Sequence, residues 1–557
     1  MKKYFLKMLK KIDNLYSKIF FLMINNFIFA KILIQENMKK KIHFKFVGIS
    51  LIGVLFLVSC SQVSDNLSVI PKEASAVSVI NLYSLAQKGK LNEISERKFF
   101  QTMKEELQGE SKKLSKLVDD IFEDPAITGI DIKADIFGYY IGEEQNKGYG
   151  CLSAKLNSGK KFGNFITEIL KEFEIDYTIE EGKNYKYIIL AQENLAIAWD
   201  AEKALVLTSL AYDGGQGLAT KIETLMTLKA DEQIRCNEAF NNFYKDKKDI
   251  SFWFSADVLG KSALMVLMQE SGIDYANSYL NAYFNFDKGK VSLLVQFSPN
   301  EELKRRMNEY SGKTISFNEN LLQYLPKTSY AAINVTLDTK AFYETFQKES
   351  AFDDIKTAFE EELDMDIKEF FDSFNGSVLF SLFDFTEERL PMMGLVFDIN
   401  GGQTVEKVIK RARGLETEQA NCYTFDLGGE QAAYVAFNEK VCLVTNDKNT
   451  ANAFQNNGFG NESLDKNPIK TDLTKNTCYG YWNLNLNEYP ENVKEMILRG
   501  QVFNDKVFNM WNSFVRNFEF RSIDAVSSEF VLNLHDTENS LYSIIKFADI
   551  IFAEMTP

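Results

Sequence analysis

Histidine is nearly missing from this chain of 557 residues, which holds only His43 and His535. That scarcity rules out multi-histidine zinc sites, the HExxH arrangement and Cys/His clusters. A Ser-His-Asp or Cys-His centre would have to use His535, in Asn533-Leu534-His535-Asp536 at the end of an expected strand. There it reads as an exposed strand-end side chain beside a turn. Cysteine is sparse too, with six residues and no CxxC spacing. Cys151, Cys442 and Cys478 lie in apolar, strand-like runs and are expected as buried neutral thiols. Cys236 and Cys422 complete the set after Cys60, and a Cys422–Cys442 bridge across a hairpin stays open. Basic charge is also short, with 63 Lys and Arg against 78 Asp and Glu. Eleven of the lysines fall in residues 1–59, so everything after them is strongly acidic. Such a body is repelled by phosphate backbones, and nucleic acid is excluded as a partner. No GxSxG occurs, and no GxxxxGK[ST] supplies a phosphate-loop lysine.

What is present begins near the N-terminus. Met38-Lys39-Lys40-Lys41 precedes an apolar run, Phe46 to Val58, which ends in Leu57-Val58-Ser59-Cys60. A positive end, an apolar middle and a small residue at the cut are the parts of a secretory signal. The run is shorter than the roughly 20 residues needed to span a bilayer. Cysteine directly after the cut resembles a bacterial lipoprotein signal, which implies cleavage before Cys60 and acylation of its thiol and new amine. Several acyl chains would make attachment effectively permanent, whereas one is marginal. Residues 38–59 are therefore expected as signal peptide and 60–66 as tether. Residues 1–37 are expected to be upstream sequence, with Met38 as the true start.

The remainder reads as an internal duplication. Val69-Ile70-Pro71-Lys72 before Ala76–Leu82 resembles Tyr324-Leu325-Pro326-Lys327 before Ala331–Leu337. Asp131-Ile132-Lys133 before Gly138 resembles Asp366-Ile367-Lys368 before Gly376. Ala196–Thr208 matches Ala433–Thr445 as a hairpin, and Ile250–Phe254 matches Cys478–Trp482. Offsets of 255, 235, 237 and 228 keep their order while loop lengths drift. Two tandem halves follow, 67–310 and 318–557. Each is expected as an α+β unit, an antiparallel or mixed sheet with helices packed mainly on one face. The last segment, Leu541 to Phe552, reads as an amphipathic helix on the last sheet.

With its lipobox, its Ile-Pro-Lys opening strand and the Asp-Ile-Lys elements at 131–141 and 366–380, the chain resembles large Bacteroidota lipoproteins carrying a domain of unknown function. The resemblance spans 60–557. It implies a cell-envelope protein held by lipid on Cys60 and no particular activity, cofactor or metal. Ser61, rather than Asp, after the cysteine resembles lipoproteins sent to the outer membrane.

Several patterns invite chemistry and are read as turns. The acid pairs Glu143-Glu144, Asp353-Asp354 and Glu387-Glu388 lack the facing geometry a glycosidase needs. Asp398-Ile399-Asn400-Gly401-Gly402 lacks the later ligands of a calcium loop. Asp213-Gly214-Gly215-Gln216-Gly217 has no phosphate-binding lysine. Trp253 and Trp482 are taken as matching core positions. Trp199, aligned with Ala436 and flanked by Asp200, is the candidate exposed contact. The expectation is a membrane-anchored, non-catalytic binding or structural module that meets an envelope protein or glycan. Its alternatives are a surface carbohydrate-capture lipoprotein and a carboxylate hydrolase.

Overall fold

The computed structural model describes residues 65–555, apart from 143–147, 210–214, 216, 257–273, 350–351, 389, 429–430 and 500–504. The signal, the tether residues 60–64 and Cys60 lie outside the described residues, as do Glu143 and Glu144. The described residues fall into two compact units, one of 65–300 with 536–555 and one of 301–535.

The first unit has strands β1 (Ala76–Ile80), β2 (Ile136–Gly142), β3 (Gly148–Lys155), β4 (Glu180–Glu181), β5 (Lys186–Leu190), β6 (Leu195–Trp199), β7 (Lys203–Ser209), β8 (Ile250–Ser255), β9 (Tyr279–Asp287) and β10 (Lys290–Ser298). They lie in the order β4-β5-β6-β7-β3-β2-β1-β8-β9-β10, antiparallel throughout. Its helices are α1 (Leu82–Lys88), α2 (Lys98–Glu110), α3 (Lys112–Glu123), α4 (Gly159–Glu172), α5 (Leu218–Met226), α6 (Glu238–Lys245) and the C-terminal helix Ser540–Met555.

Both faces of this sheet are covered, which corrects the one-face expectation. Ala196 and Ala198 of β6 join Val77, Val79 and Leu205 under α5 and α6. The alternate residues Leu195, Ile197 and Trp199 meet α4 on the other face. The reason is visible in β6, where every residue is buried. A strand buried on both sides reads as one apolar run instead of an alternation. Helix α4 is amphipathic: Phe162, Phe165, Ile166, Ile169 and Leu170 are buried at helical spacing, and the Ser158 hydroxyl caps it by accepting from the Lys161 N–H.

The second unit has β11 (Ala331–Thr336), β12 (Phe374–Phe385), β13 (Pro391–Ile399), β14 (Leu415–Glu416), β15 (Cys422–Gly428), β16 (Gln431–Phe437), β17 (Val441–Thr445), β18 (Cys478–Asn483), β19 (Val515–Ser522) and β20 (Ser527–Leu534). Their order is β14-β15-β16-β17-β13-β12-β11-β18-β19-β20, again antiparallel. Its helices are α7 (Glu301–Ser311), α8 (Thr339–Phe346), α9 (Phe352–Leu363), α10 (Ile367–Asp372), α11 (Gly402–Arg411), α12 (Lys448–Gln455), α13 (Lys470–Lys475), α14 (Glu491–Arg499) and α15 (Asp505–Phe514).

Among the described residues the two units thus share one strand order, and their details agree. Lys72 donates to Glu232 O and Ile234 to Ile70 O, as Lys327 donates to Glu462 O and Leu464 to Leu325 O. Val77 stands opposite Tyr139 and Trp253, and Ala332 opposite Ser381 and Tyr481. Trp253 therefore corresponds to Tyr481. Trp482, opposite Ala331, corresponds to Phe254, opposite Ala76, so the expected match of Trp253 with Trp482 is wrong by one residue. The hairpin alignment also slips by one. Asp200 Oδ1 accepts from the Glu202 and Lys203 amides, as Asn438 Oδ1 does from Lys440 and Val441. Trp199, opposite Ala204, thus corresponds to Phe437, opposite Cys442, and not to Ala436.

The final helix does not lie on the last sheet. It packs on α1, α2, β9 and β10 of the first unit. The Asp549 carboxylate accepts from the Phe99 N–H at 2.9 Å, Tyr542 Oη donates to Glu93 at 2.8 Å, and Asn539 Nδ2 donates to Phe286 O at 2.8 Å. Sequence order could not reveal that the chain leaves this unit at Asn300 and returns to it at Asp536.

Candidate functional site

Most residues that invited chemistry are occupied by local structure. His535 is exposed, and its amide donates to Phe514 O. Asp353 and Asp354 sit in the first turn of α9, where carboxylates complement the helix dipole. Glu387 and Glu388 are exposed in the turn between β12 and β13. The Asp398 carboxylate accepts from Asn318 Nδ2 and Asn375 Nδ2, both at 2.9 Å, and so serves the β-strand end. No group of three or more His, Cys, Asp or Glu among the described residues is placed to hold a metal. Of residues 213–217 only Gly215 and Gly217 are described, and the loop is held by Asn194 Oδ1, which accepts from Gly215 N at 2.7 Å.

The described thiols are free. Burial pushes Cys151 and Cys442 up to about 12, so both stay protonated and unreactive. Cys422 faces the core beneath α12, whereas Cys442 faces α11 on the opposite side of the sheet. The disulfide is thereby excluded, because β16 runs between the two strands that carry these thiols and the thiols face opposite sides of the sheet. Among the described residues the carboxylates with a clear displacement, Glu172, Asp338, Glu406, Asp465 and Asp536, are all held lower, by lysines or backbone N–H groups. A hydrolytic acid would need the opposite shift.

One cavity stands out in the first unit, with a volume of about 530 Å³. It lies between α4, the β4–β5 turn and the β6–β7 turn. Glycines shape it. A Cβ on Gly163 would lie 3.0 Å from Trp199 Nε1, so glycine gives the indole edge its close approach to the helix here. A Cβ on Gly159 would lie 1.8 Å from Asp200 O, which holds α4 directly on the β6–β7 turn. Trp199 itself is buried, 4% exposed, with Phe162 edge-on at 6.0 Å. The expected exposed tryptophan is therefore a cavity wall and not an open platform.

The charges of the cavity are largely spoken for. Lys186 pairs with Glu181 at 3.4 Å, and Asp200 Oδ1 is taken by the turn amides. Tyr187, on the adjoining hairpin, is raised to about 12 by its hydrogen bond to Glu180 and then by burial. Lys160, Asn164 and Asn184 also line the cavity. Their side chains have no partner among the described residues. Ile179 adds an apolar wall that is 41% exposed.

A cavity of about 400 Å³ in the second unit is lined by Asp366, Lys368, Glu369, Asp372 and Thr404. Its charges are consumed locally: Lys368 pairs with Asp372, Glu369 with Lys407, and Asp366 caps α10. The position matching the first cavity is filled. Helices α4 and α11 start alike, with Leu156 N donating to Glu202 O and Ile399 N to Lys440 O. Gly163 then corresponds to Glu406, which accepts from Tyr423 Oη at 3.4 Å and pairs with Lys410 at 2.5 Å. Phe437 stacks on Tyr423 with centroids 6.2 Å apart.

Gly163 escaped the sequence reading, although a signal existed. Glycine inside a helix costs about 1 kcal/mol against alanine, so its place mid-way along α4 marks a close approach.

No helix among the described residues is long and apolar enough to cross a membrane. A family model described as a domain of unknown function (DUF4836) matches residues 66–541, most of the chain. No curated protein matches. Two solved structures, described as crystal forms IV and III of TP0453, align at 10% identity. They cover 42% and 46% of this chain and 81% and 89% of theirs, each with a TM-score of 0.23.

Proposed function

We propose a function from the premise that this chain belongs to the DUF4836 family, a domain of unknown function: it is a lipid-anchored envelope protein with a non-catalytic binding body. The anchor is the acylated Cys60, in a lipobox that lies a short tether ahead of the body. The family match starts at residue 66, and Asn66 and Leu67 are already buried in the first unit. The body descends from a duplication, a reading supported by the shared strand order and by offsets of 255 at β1–β11, 238 at β6–β16 and 228 at β8–β18. The outer membrane is its location.

The observation that carries a binding role is the cavity of the first unit, whose lining holds uncommitted polar groups. Radiolabelled palmitate fed to cells making the protein tests the anchor. Wild type is expected to take up label and to stay with the lipid fraction, and Cys60→Ala to lose both. Equal membrane retention of the two forms would overturn the anchor.

A further inference from the structure

We propose that the cavity bounded by α4, the β4–β5 turn and Trp199 binds a glycan that is uncharged or carries a single negative charge. The proposal deepens the binding role given above and rests on it. The cavity's volume of about 530 Å³ falls within the about 300–1,000 Å³ of small-ligand sites.

Its chemistry selects the ligand class. Two carboxamides, Asn164 and Asn184, stand without partners among the described residues, each presenting a donor beside an acceptor. Adjacent hydroxyls of a sugar do the same. The indole N–H edge of Trp199 faces the cavity past Gly163 and adds a donor. Ile179, 41% exposed, offers an apolar wall for the C–H face of a ring. Glu181 and Lys186 neutralise one another, and Asp200 is held by its own turn, so among the described lining residues Lys160 is the one charge left uncommitted. One ammonium suits a uronic or lactyl carboxylate and is too little for a polyphosphate.

The cavity also lies near the tether. Lys203, which closes the turn carrying Asp200 and Ala201, donates from Nζ to Ser68 Oγ at 3.0 Å. The stretch from Cys60 to Asp65 reaches at most about 18 Å when fully extended. A glycan borne on a lipid headgroup and a free glycan therefore share this site, and the test separates them.

The mature protein, solubilised in detergent, is applied to an array of neutral and uronic-acid-containing mono- to tetrasaccharides, and hits are titrated by calorimetry. Saturable binding is expected for at least one glycan, weakened about tenfold by Asn164→Ala and by Asn184→Ala, each of which removes one hydrogen-bonding partner at an exposed position. Gly163→Glu, the side chain found at the matching place in the second unit, is expected to abolish binding. Should that variant misfold, the two alanine variants carry the test. Vesicles with and without glucuronosyl diacylglycerol then separate lipid-borne from free glycan, and either preference agrees with the site. Absence of binding to any array member, or binding unchanged in both alanine variants, overturns the proposal. Palmitate labelling is independent of either result, so failure of the cavity and failure of the anchor are told apart.

Discussion

Gly163 in the first unit and Glu406 in the second occupy the same place on the same framework, and they have opposite consequences. Around Gly163 a cavity opens onto the Trp199 edge. Around Glu406 the space holds a carboxylate, Tyr423 and the Phe437 ring. The sheets and their strand order are alike, so the cavity is a local difference between two similar scaffolds. This is the expected division of labour: packing keeps the framework, and a few residues facing solvent decide what it meets.

The largest way to break the comparison is to end the chain at His535. The first unit then loses the C-terminal helix that covers α1, α2, β9 and β10, while the second keeps all of its own residues. A loss above about 4 kcal/mol is expected for the first unit, because a whole packed helix exceeds the usual single-site effect. Hydrogen-exchange mass spectrometry would show it as lost protection in β9 and α2 with β11 and β18 unchanged. Equal loss in both units would refute the division of the chain described above.

A smaller contrast lies in the two helix faces. Phe162 is fully buried on α4, and its partner on α11 is the half-buried Val405. Phe162→Ala should cost about 3–5 kcal/mol and Val405→Ala about 2 kcal/mol or less. Urea unfolding of the full chain with a probe in each unit measures both.

Each unit also buries one strongly shifted thiol, Cys151 in the first and Cys442 in the second. In the folded protein both hold their proton up to about 12, whereas the unfolded thiol releases it near the ordinary value of 9.0. Their contribution is complete below the unfolded value and falls as pH rises from there toward the folded value. At pH 10 the loss is on the order of 1 kcal/mol for each. Comparing wild type with Cys151→Ala and Cys442→Ala at pH 8 and 10 isolates it. At pH 8, Ellman's reagent should reach the exposed Cys236 and spare these two.

Much of the framework was legible from residues. The Pro-Lys entries at Pro71 and Pro326 and the hairpin turns at Asp200 and Asn438 have sequence signatures that their hydrogen bonds explain. Facing was less legible. One-residue slips misplaced Trp199 and Trp482, because a strand's period of two sends a neighbouring residue to the other side. The return of the final helix to the first unit has no local signal at all. The cavity could not be seen either, since it depends on a helix, a turn and a strand end brought together from Gly159, Gly182 and Trp199.

The finest test exchanges the distinguishing residue in the reverse direction. Glu406→Gly removes the carboxylate that accepts from Tyr423 Oη and pairs with Lys410, and it leaves the exposed face of α11 without a side chain at that point. Proximity to Glu406 is one of the causes that raise the Tyr423 phenol, after burial. The substitution is therefore expected to lower the Tyr423 pKa toward its ordinary value and to increase nitration of that tyrosine, with other tyrosines unchanged. Peptide mapping after tetranitromethane treatment reads this directly. If Tyr423 stays as unreactive as in wild type, the second unit closes its position by some contact other than Glu406, and one residue would not account for the difference between the units.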